Sequence, residues 1–270
     1  MRPQVRICLR PWEFTAMKRT LFGTILLAAA LPALAQYENK IDATFRLDYS
    51  SADVWRGINL VDDPVFTPSL SLSFENWRAF LLARMELSNL NSYPLNANPS
   101  REFTAMRGGL FYTFDYDSEA PVTLGILTHQ FPSVGVPQTH ELYYSMAFGG
   151  VGNFKIEVMQ DVEQVKGYYV RASGSHLFKG GFRRPDGTDQ PIQIGAHFAY
   201  GDNKFNSNYY GAVTSTLSDL SVWATTSFEI SPMASINPYL VYAALIDPDL
   251  LQGSPNRTNF YYGVSAAFRF

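Results

Sequence analysis

The chain has 270 residues, 21 of them basic and 24 acidic, and 15% of it is aromatic. A formal net charge of −3, with the basic residues scattered singly, excludes a nucleic-acid footprint, which needs Lys and Arg clustered on one face. With no Gly/Ser linker, charge block or repeat of solenoid length, the sequence reads as one domain behind a leader.

The leader comes first in chain order. Lys18 and Arg19 precede an apolar run from Leu21 to Leu31 and the small-residue site Ala33-Leu34-Ala35, the pattern of a secretory signal peptide cleaved before Gln36. That run is too short to cross a membrane as a helix, which takes about 20 apolar residues. Residues 1–16 lie upstream of a second methionine, so the start is either Met1 or Met17. The division is therefore residues 1–35 as N-terminal extension and signal peptide, and 36–270 as the mature domain. Cleavage removes Cys8, and with it any disulfide, thiolate metal site or lipid-bearing cysteine. It also removes five basic residues and Glu13, leaving 16 basic and 23 acidic side chains and a net charge of −7.

Beyond the leader, segments of about ten residues alternate with period two, the signature of strands with one apolar face. Phe66, Pro68, Leu70, Leu72 and Phe74 oppose Thr67, Ser69, Ser71, Ser73 and Glu75. Trp77, Ala79, Leu81, Ala83 and Met85 oppose Arg78, Phe80, Leu82, Arg84 and Glu86. Twelve such segments are expected, at 41–50, 64–75, 77–88, 102–115, 121–130, 139–149, 153–162, 166–178, 190–200, 218–230, 235–246 and 258–270. The even count and the connection lengths fit an up-and-down barrel with both termini periplasmic, because 51–63, 89–101, 201–216 and 247–257 are long and all fall on one side. Glu75-Asn76, 150–152 and 231–234 are tight on the other. Two connections break the rule: 179–190 is long on the tight side, and 163–165 is short on the long side.

The last segment, ending at Phe268 and Phe270, resembles the assembly signal of bacterial outer-membrane β-barrels. It implies a barrel-assembly machinery as partner and outer-membrane lipid around the apolar face. Charge then fixes the register, since an Arg on the lipid face near the midplane costs about 2 to 4 kcal/mol. Slipping the third segment by one residue would expose Arg78, Arg84 and Glu86 together. The same parity turns Arg46, Asp48, Arg107, Lys155, Glu157, Asp161, Arg171, Glu229 and Arg269 inward, and all of these but Asp161 are expected, with Arg78, Arg84 and Glu86, to line the pore. Such charges either lock into ion pairs that fill the bore or line a constriction that selects solutes. Tyr112, Phe114, Tyr116, Tyr144, Tyr168 and Tyr262 read as interfacial anchors, whereas Phe80, Phe111, Tyr143, Tyr169, Trp223 and Tyr261 face inward.

Catalysis has one candidate constellation, Ser173 with His197 and either Glu157 or Glu229 as orienting group, which would make a lipid hydrolase. Both residues face the bore rather than the membrane, so no catalytic residues are assigned. His129, His140 and His176 form no close ligand pair, and neither metal nor cofactor is expected.

The segment Asp53-Val54-Trp55-Arg56-Gly57-Ile58, followed by Asp63-Pro64, an extended strand and a hairpin into a strand ending Ser88-Asn89, resembles the N-terminal signature of the TorF-like porin family of exported bacterial barrels. The likeness covers roughly 40–90 and the last strand. The family's glycine-rich second strand is replaced here by Thr67-Pro68-Ser69-Leu70-Ser71-Leu72-Ser73. The resemblance implies an outer-membrane protein without established catalysis. Read physically, Arg56 and Gly57 are expected at the extracellular rim, with Gly57 supplying a backbone bend. The expected fold is all-β, a transmembrane antiparallel up-and-down β-barrel of about 12 strands. The expected function is a passive channel for small polar solutes; a plugged structural or envelope-interaction barrel, and a soluble periplasmic β-domain, are the alternatives.

Overall fold

A computed structural model describes residues 41–87, 103–114, 119–132, 138–149, 153–183, 187, 189–253 and 257–270. The expectations for the leader, for Tyr116 and for the turn at 150–152 lie outside these residues. The alternating segments form β1 (Asp42–Ser50), β4 (Val65–Phe74), β5 (Trp77–Glu86), β6 (Phe103–Phe114), β7 (Val122–Gln130), β8 (Thr139–Phe148) and β9 (Asn153–Asp161). They continue as β10 (Tyr168–Arg183), β11 (Asp189–Gly201), β12 (Thr216–Thr225), β14 (Ala234–Leu245) and β15 (Thr258–Arg269). Short elements sit between them: a hairpin of β2 (Asp53–Trp55) and β3 (Ile58–Val61), a helix α1 (Asn203–Tyr209), β13 (Phe228–Ser231) and a 3-10 turn (Pro248–Gly253).

Each long strand pairs antiparallel with its neighbours in sequence, and β15 returns to β1 with Thr44 opposite Arg269. The sheet holds thirteen strands; because β12 also bonds β14 directly, β13 stands aside and twelve close the cylinder. The twelve strands of the closed wall leave no open edge among them, the condition for a sheet to span hydrocarbon. The exterior carries the apolar set: Phe260 is 68% exposed and Phe154 59%, with Ile126, Leu142, Phe198 and Leu240 also outside. In a soluble protein so many large apolar side chains on one continuous outer surface would be unstable in water. Near the short-turn end Trp77, Tyr112 and Phe114 pack edge to face at 4.9 and 4.7 Å, an aromatic belt segment.

Three features depart from the sequence reading. The long connection expected at 179–190 is mostly strand: β10 runs on to Arg183, and the ladder with β11 resumes beyond a bulge between Phe178 and Phe182. Gly180 takes φ +84° there, the backbone freedom a bulge uses. The segment expected at 218–230 breaks after Thr225 into β12 and β13. Finally, the outer connection 51–63 is not a free loop. It holds the β2–β3 hairpin, which folds back into the barrel.

The short crossing at 162–167 survives at the long-loop end because one carboxylate organises it. Asp161 Oδ1 accepts from the backbone N–H groups of Glu163, Val165 and Lys166, at 2.9, 3.1 and 3.1 Å.

Candidate functional site

The hairpin turns on two residues. Trp55 pairs with Ile58, so Arg56 and Gly57 form the loop, with φ +49° and +78°. Positive φ at both central positions is the geometry of the two-residue hairpin turn that matches strand twist. Gly57 adopts it freely, and a Cβ there would stand 2.7 Å from Leu245 Cδ2. For Arg56 the left-handed conformation is strained by about 1 to 2 kcal/mol.

What holds Arg56 in place is the wall of the barrel. Its Nη1 and Nη2 donate to Glu141 Oε1 and Oε2 at 2.8 and 2.7 Å, a bidentate pair almost wholly out of solvent. The guanidinium lies 4.3 Å from the Tyr169 ring centroid and 4.7 Å from that of Trp55. Tyr210 Oη donates to the Arg56 carbonyl at 2.8 Å, and Asn259 Nδ2 to the Gly57 carbonyl at 3.3 Å. Burial works against the Arg56 charge, but the Glu141 carboxylate more than offsets it and holds the pKa above the ordinary arginine value. Burial and the nearby Asp219 keep the Tyr210 phenol protonated, pushing its pKa well up.

A second pair sews the hairpin with the charges exchanged: Arg84 on β5 reaches Asp53 on β2 and donates from Nε to Thr67 Oγ1 at 3.0 Å. Around these pairs Trp55, Phe131 and Tyr209 meet edge to face at 5.0 Å, and Phe205 of α1 packs against Tyr209 at 4.7 Å. The outer half of the bore is thus an apolar core threaded by two ion pairs.

Below the hairpin the interior opens into two cavities. The first, about 520 Å³, is bounded by Arg56 and Trp55 above and by Arg78, Phe111, Lys155 and Arg171 on the wall. In it Glu157 takes Arg171 Nε at 2.6 Å, Lys155 Nζ at 2.9 Å and Tyr143 Oη at 2.8 Å. The second, about 550 Å³, lies along β1, β10, β11, β12, β14 and β15 and includes Arg46, Asp48, Trp223, Tyr239 and Arg269. Tyr239 donates to Asp48 there at 2.9 Å.

The residues expected to line the pore therefore divide. Arg78, Arg107, Lys155, Glu157 and Arg171 meet in the first cavity, and Arg46, Asp48 and Arg269 in the second. Arg84 and Glu86 also point inward, but Arg84 is consumed by Asp53 and Glu86 is fully buried at the outer end, so neither borders a cavity. Glu229 is corrected: it falls on β13, beyond the break in the strand, exposed and outside both cavities. Arg56 and Gly57 are corrected as well, because the hairpin carries them from the expected rim to the inside of the barrel. Phe268 and Phe270 stand exposed on the outer surface at the short-turn end. The inward aromatics expected from parity all border a cavity, with Trp223 in the second and the rest in the first.

Ser173 and His197 sit directly opposite each other on β10 and β11. Ser173 Oγ donates to the Lys155 carbonyl, whereas His197 Nε2 lies 3.2 Å from Asp219 Oδ1, so the hydroxyl and the imidazole are spoken for separately. Asp219 rather than Glu157 or Glu229 is the carboxylate beside that histidine. Three buried carboxylates that take the charged side chains of the interior, Asp53, Glu141 and Asp219, escaped the sequence reading. Parity carried a signal for two of them, since Glu141 shares a face with Tyr143 and Asp219 with Trp223.

No family model matches the chain, and no curated protein matches it. Solved structures do. The NanC porin is 15% identical, with 84% of this chain and 100% of that one covered and a TM-score of 0.50. LpxR from Salmonella typhimurium is 10% identical over 84% and 100%, with a TM-score of 0.52. The KdgM porin is 10% identical over 85% and 99%, at 0.49. At such identities the likeness is one of fold. Closed cylinder, oily exterior and polar interior together place the protein in the bacterial outer membrane.

Proposed function

We propose that this barrel is a porin-type passive channel for small polar solutes, acting without cofactor or catalysis. The observation that carries the reading is the pair of charged cavities inside the cylinder, about 520 and 550 Å³. A barrel whose interior served only to hold it together would be expected to fill this space with side chains, as narrow barrels do. Selection would come from the side chains on the cavity walls and from bore width. We assign the chain to the TorF-like porins on the same footing: Trp55, Arg56 and Gly57, which carry that resemblance, form the turn that narrows the outer half of the bore.

That same hairpin favours one competing reading, a plugged barrel that presents its outer loops to the surroundings. Planar-bilayer recording separates the two. Wild-type protein is expected to give small conductance steps, and replacement of residues 53–61 by a short Gly-Ser linker is expected to enlarge them several-fold. Folded protein that gives no steps with or without the hairpin removes the channel and leaves the structural role.

A further inference from the structure

Among the described residues, the charges gathered about Arg107 do not balance. Arg56 is taken by Glu141 and Arg84 by Asp53, two guanidinium groups against two carboxylates. Arg107 is the third guanidinium in this cluster, with those four groups as its main charged neighbours. Its Nε and Nη2 are sealed from solvent and have no hydrogen-bond partner among the described residues. A buried donor left unmade is costly, and a buried cation left unpaired more so. Directly across the ladder from Arg107 is His129, which borders the same cavity. Its Nε2 stands 3.3 Å from Glu141 Oε2 without the alignment of a hydrogen bond, and its Nδ1 has no partner either.

The surroundings hold the guanidinium still rather than neutralise it. Its carbon is 5.7 Å from the ring centroids of both Trp55 and Phe131, so it is flanked by aromatic faces. The cavity wall next to it is apolar: Leu82 on β5 and Leu127 and Phe111 on β7 and β6. Phe111 in turn stacks on Phe80 at 5.8 Å and meets Tyr143 edge-on at 5.1 Å.

The geometry points to a binding site for a small carboxylate with a flat apolar body, its anionic end on Arg107 beside His129 and its body against Phe111 and Leu127. A carboxylate accepts from the guanidinium and supplies the missing charge. The imidazole suits the same ligand in the tautomer that carries its proton on the nitrogen facing it, from which it donates to the carboxylate. The site deepens the channel reading by naming a solute class, and rests on that reading only for how the ligand arrives.

The test is calorimetric titration of the detergent-folded protein with benzoate, and with benzyl alcohol as the uncharged counterpart. Benzoate is expected to bind one per barrel, benzyl alcohol at least tenfold more weakly, and Arg107→Gln to lose at least tenfold in benzoate affinity. The unfolding midpoint of ligand-free Arg107→Gln is expected to equal or exceed that of wild type, since an unpaired buried charge has gone. Equal binding of the two probes, no benzoate binding, undiminished binding by the variant, or a lowered midpoint would each overturn the site. Bilayer recording on the same preparation keeps the two readings apart. Steps without benzoate binding leave the channel and remove the site; binding without steps does the reverse.

Discussion

Arg56 combines three demands that few side chains could meet at once. It tolerates a left-handed backbone, forks onto both oxygens of Glu141, and lies against the rings of Trp55 and Tyr169. Truncating it would strand a buried carboxylate, which costs about 3 to 5 kcal/mol where one partner of a buried pair is removed. Arg56→Ala is therefore expected to lower the urea midpoint of the detergent-folded barrel by that order. Arg56→Lys keeps the charge but loses the fork, and should fall between the two. A midpoint unchanged in Arg56→Ala would mean that the hairpin is not held by this pair. The sequence reveals Arg56-Gly57 as a bend. It does not reveal the direction of the bend, because a turn without periodic neighbours has no face to bury. Glu141 shows the complementary limit: parity says that it points inward, but not which loop residue waits for it across 85 positions.

Strands are where alternation is most informative, and β5 is the clearest case. Arg78 and Arg84 share a face with Phe80 and Leu82, while Ala79 and Ala83 pair across the ladder with Leu110 and Met106 on the lipid side. Ala83→Arg would put a guanidinium in hydrocarbon at mid-strand, and a loss of about 2 to 4 kcal/mol is expected. Ser71 pairs with Phe80 on the bore side, so Ser71→Arg is the matched control and should fold near the wild-type midpoint. Equal losses in the two variants, measured by the same denaturant titration, would mean the faces are not distinguished as described. Alternation misleads where glycines interrupt it. Lys179-Gly180-Gly181 looks like the end of a strand, yet β10 continues past it, because a neighbouring strand supplies the ladder that local propensity withholds. The short β13 is the opposite error: the 218–230 pattern alternates throughout, but the ladder passes from β12 straight to β14.

For the molecule as a whole, the closed cylinder is legible because each of its strands repeats the same two-faced code, and the filling of its outer half is not, because that filling comes from connections. Closure itself depends on the final strand. The Phe270 N–H donates to the Ala43 carbonyl at 2.9 Å, and the Ala43 N–H returns to the Phe270 carbonyl at 3.3 Å, joining the end of the chain to its first strand. The Phe270 side chain is half exposed on the outer surface and packs into no interior cluster. The contribution of that side chain to the finished fold is therefore small. We propose that the terminal aromatic serves recognition during insertion rather than stability afterwards. Phe270→Ala, which keeps both backbone bonds to Ala43, is expected to cut the amount of folded barrel in the outer membrane several-fold in cells, while refolding from urea into detergent proceeds with a midpoint within about 1 kcal/mol of wild type, the range of a peripheral change. Should the substitution depress both measurements alike, the aromatic would be acting as a structural clasp on the β1–β15 seam, and the division between being inserted and being held together would have to be abandoned.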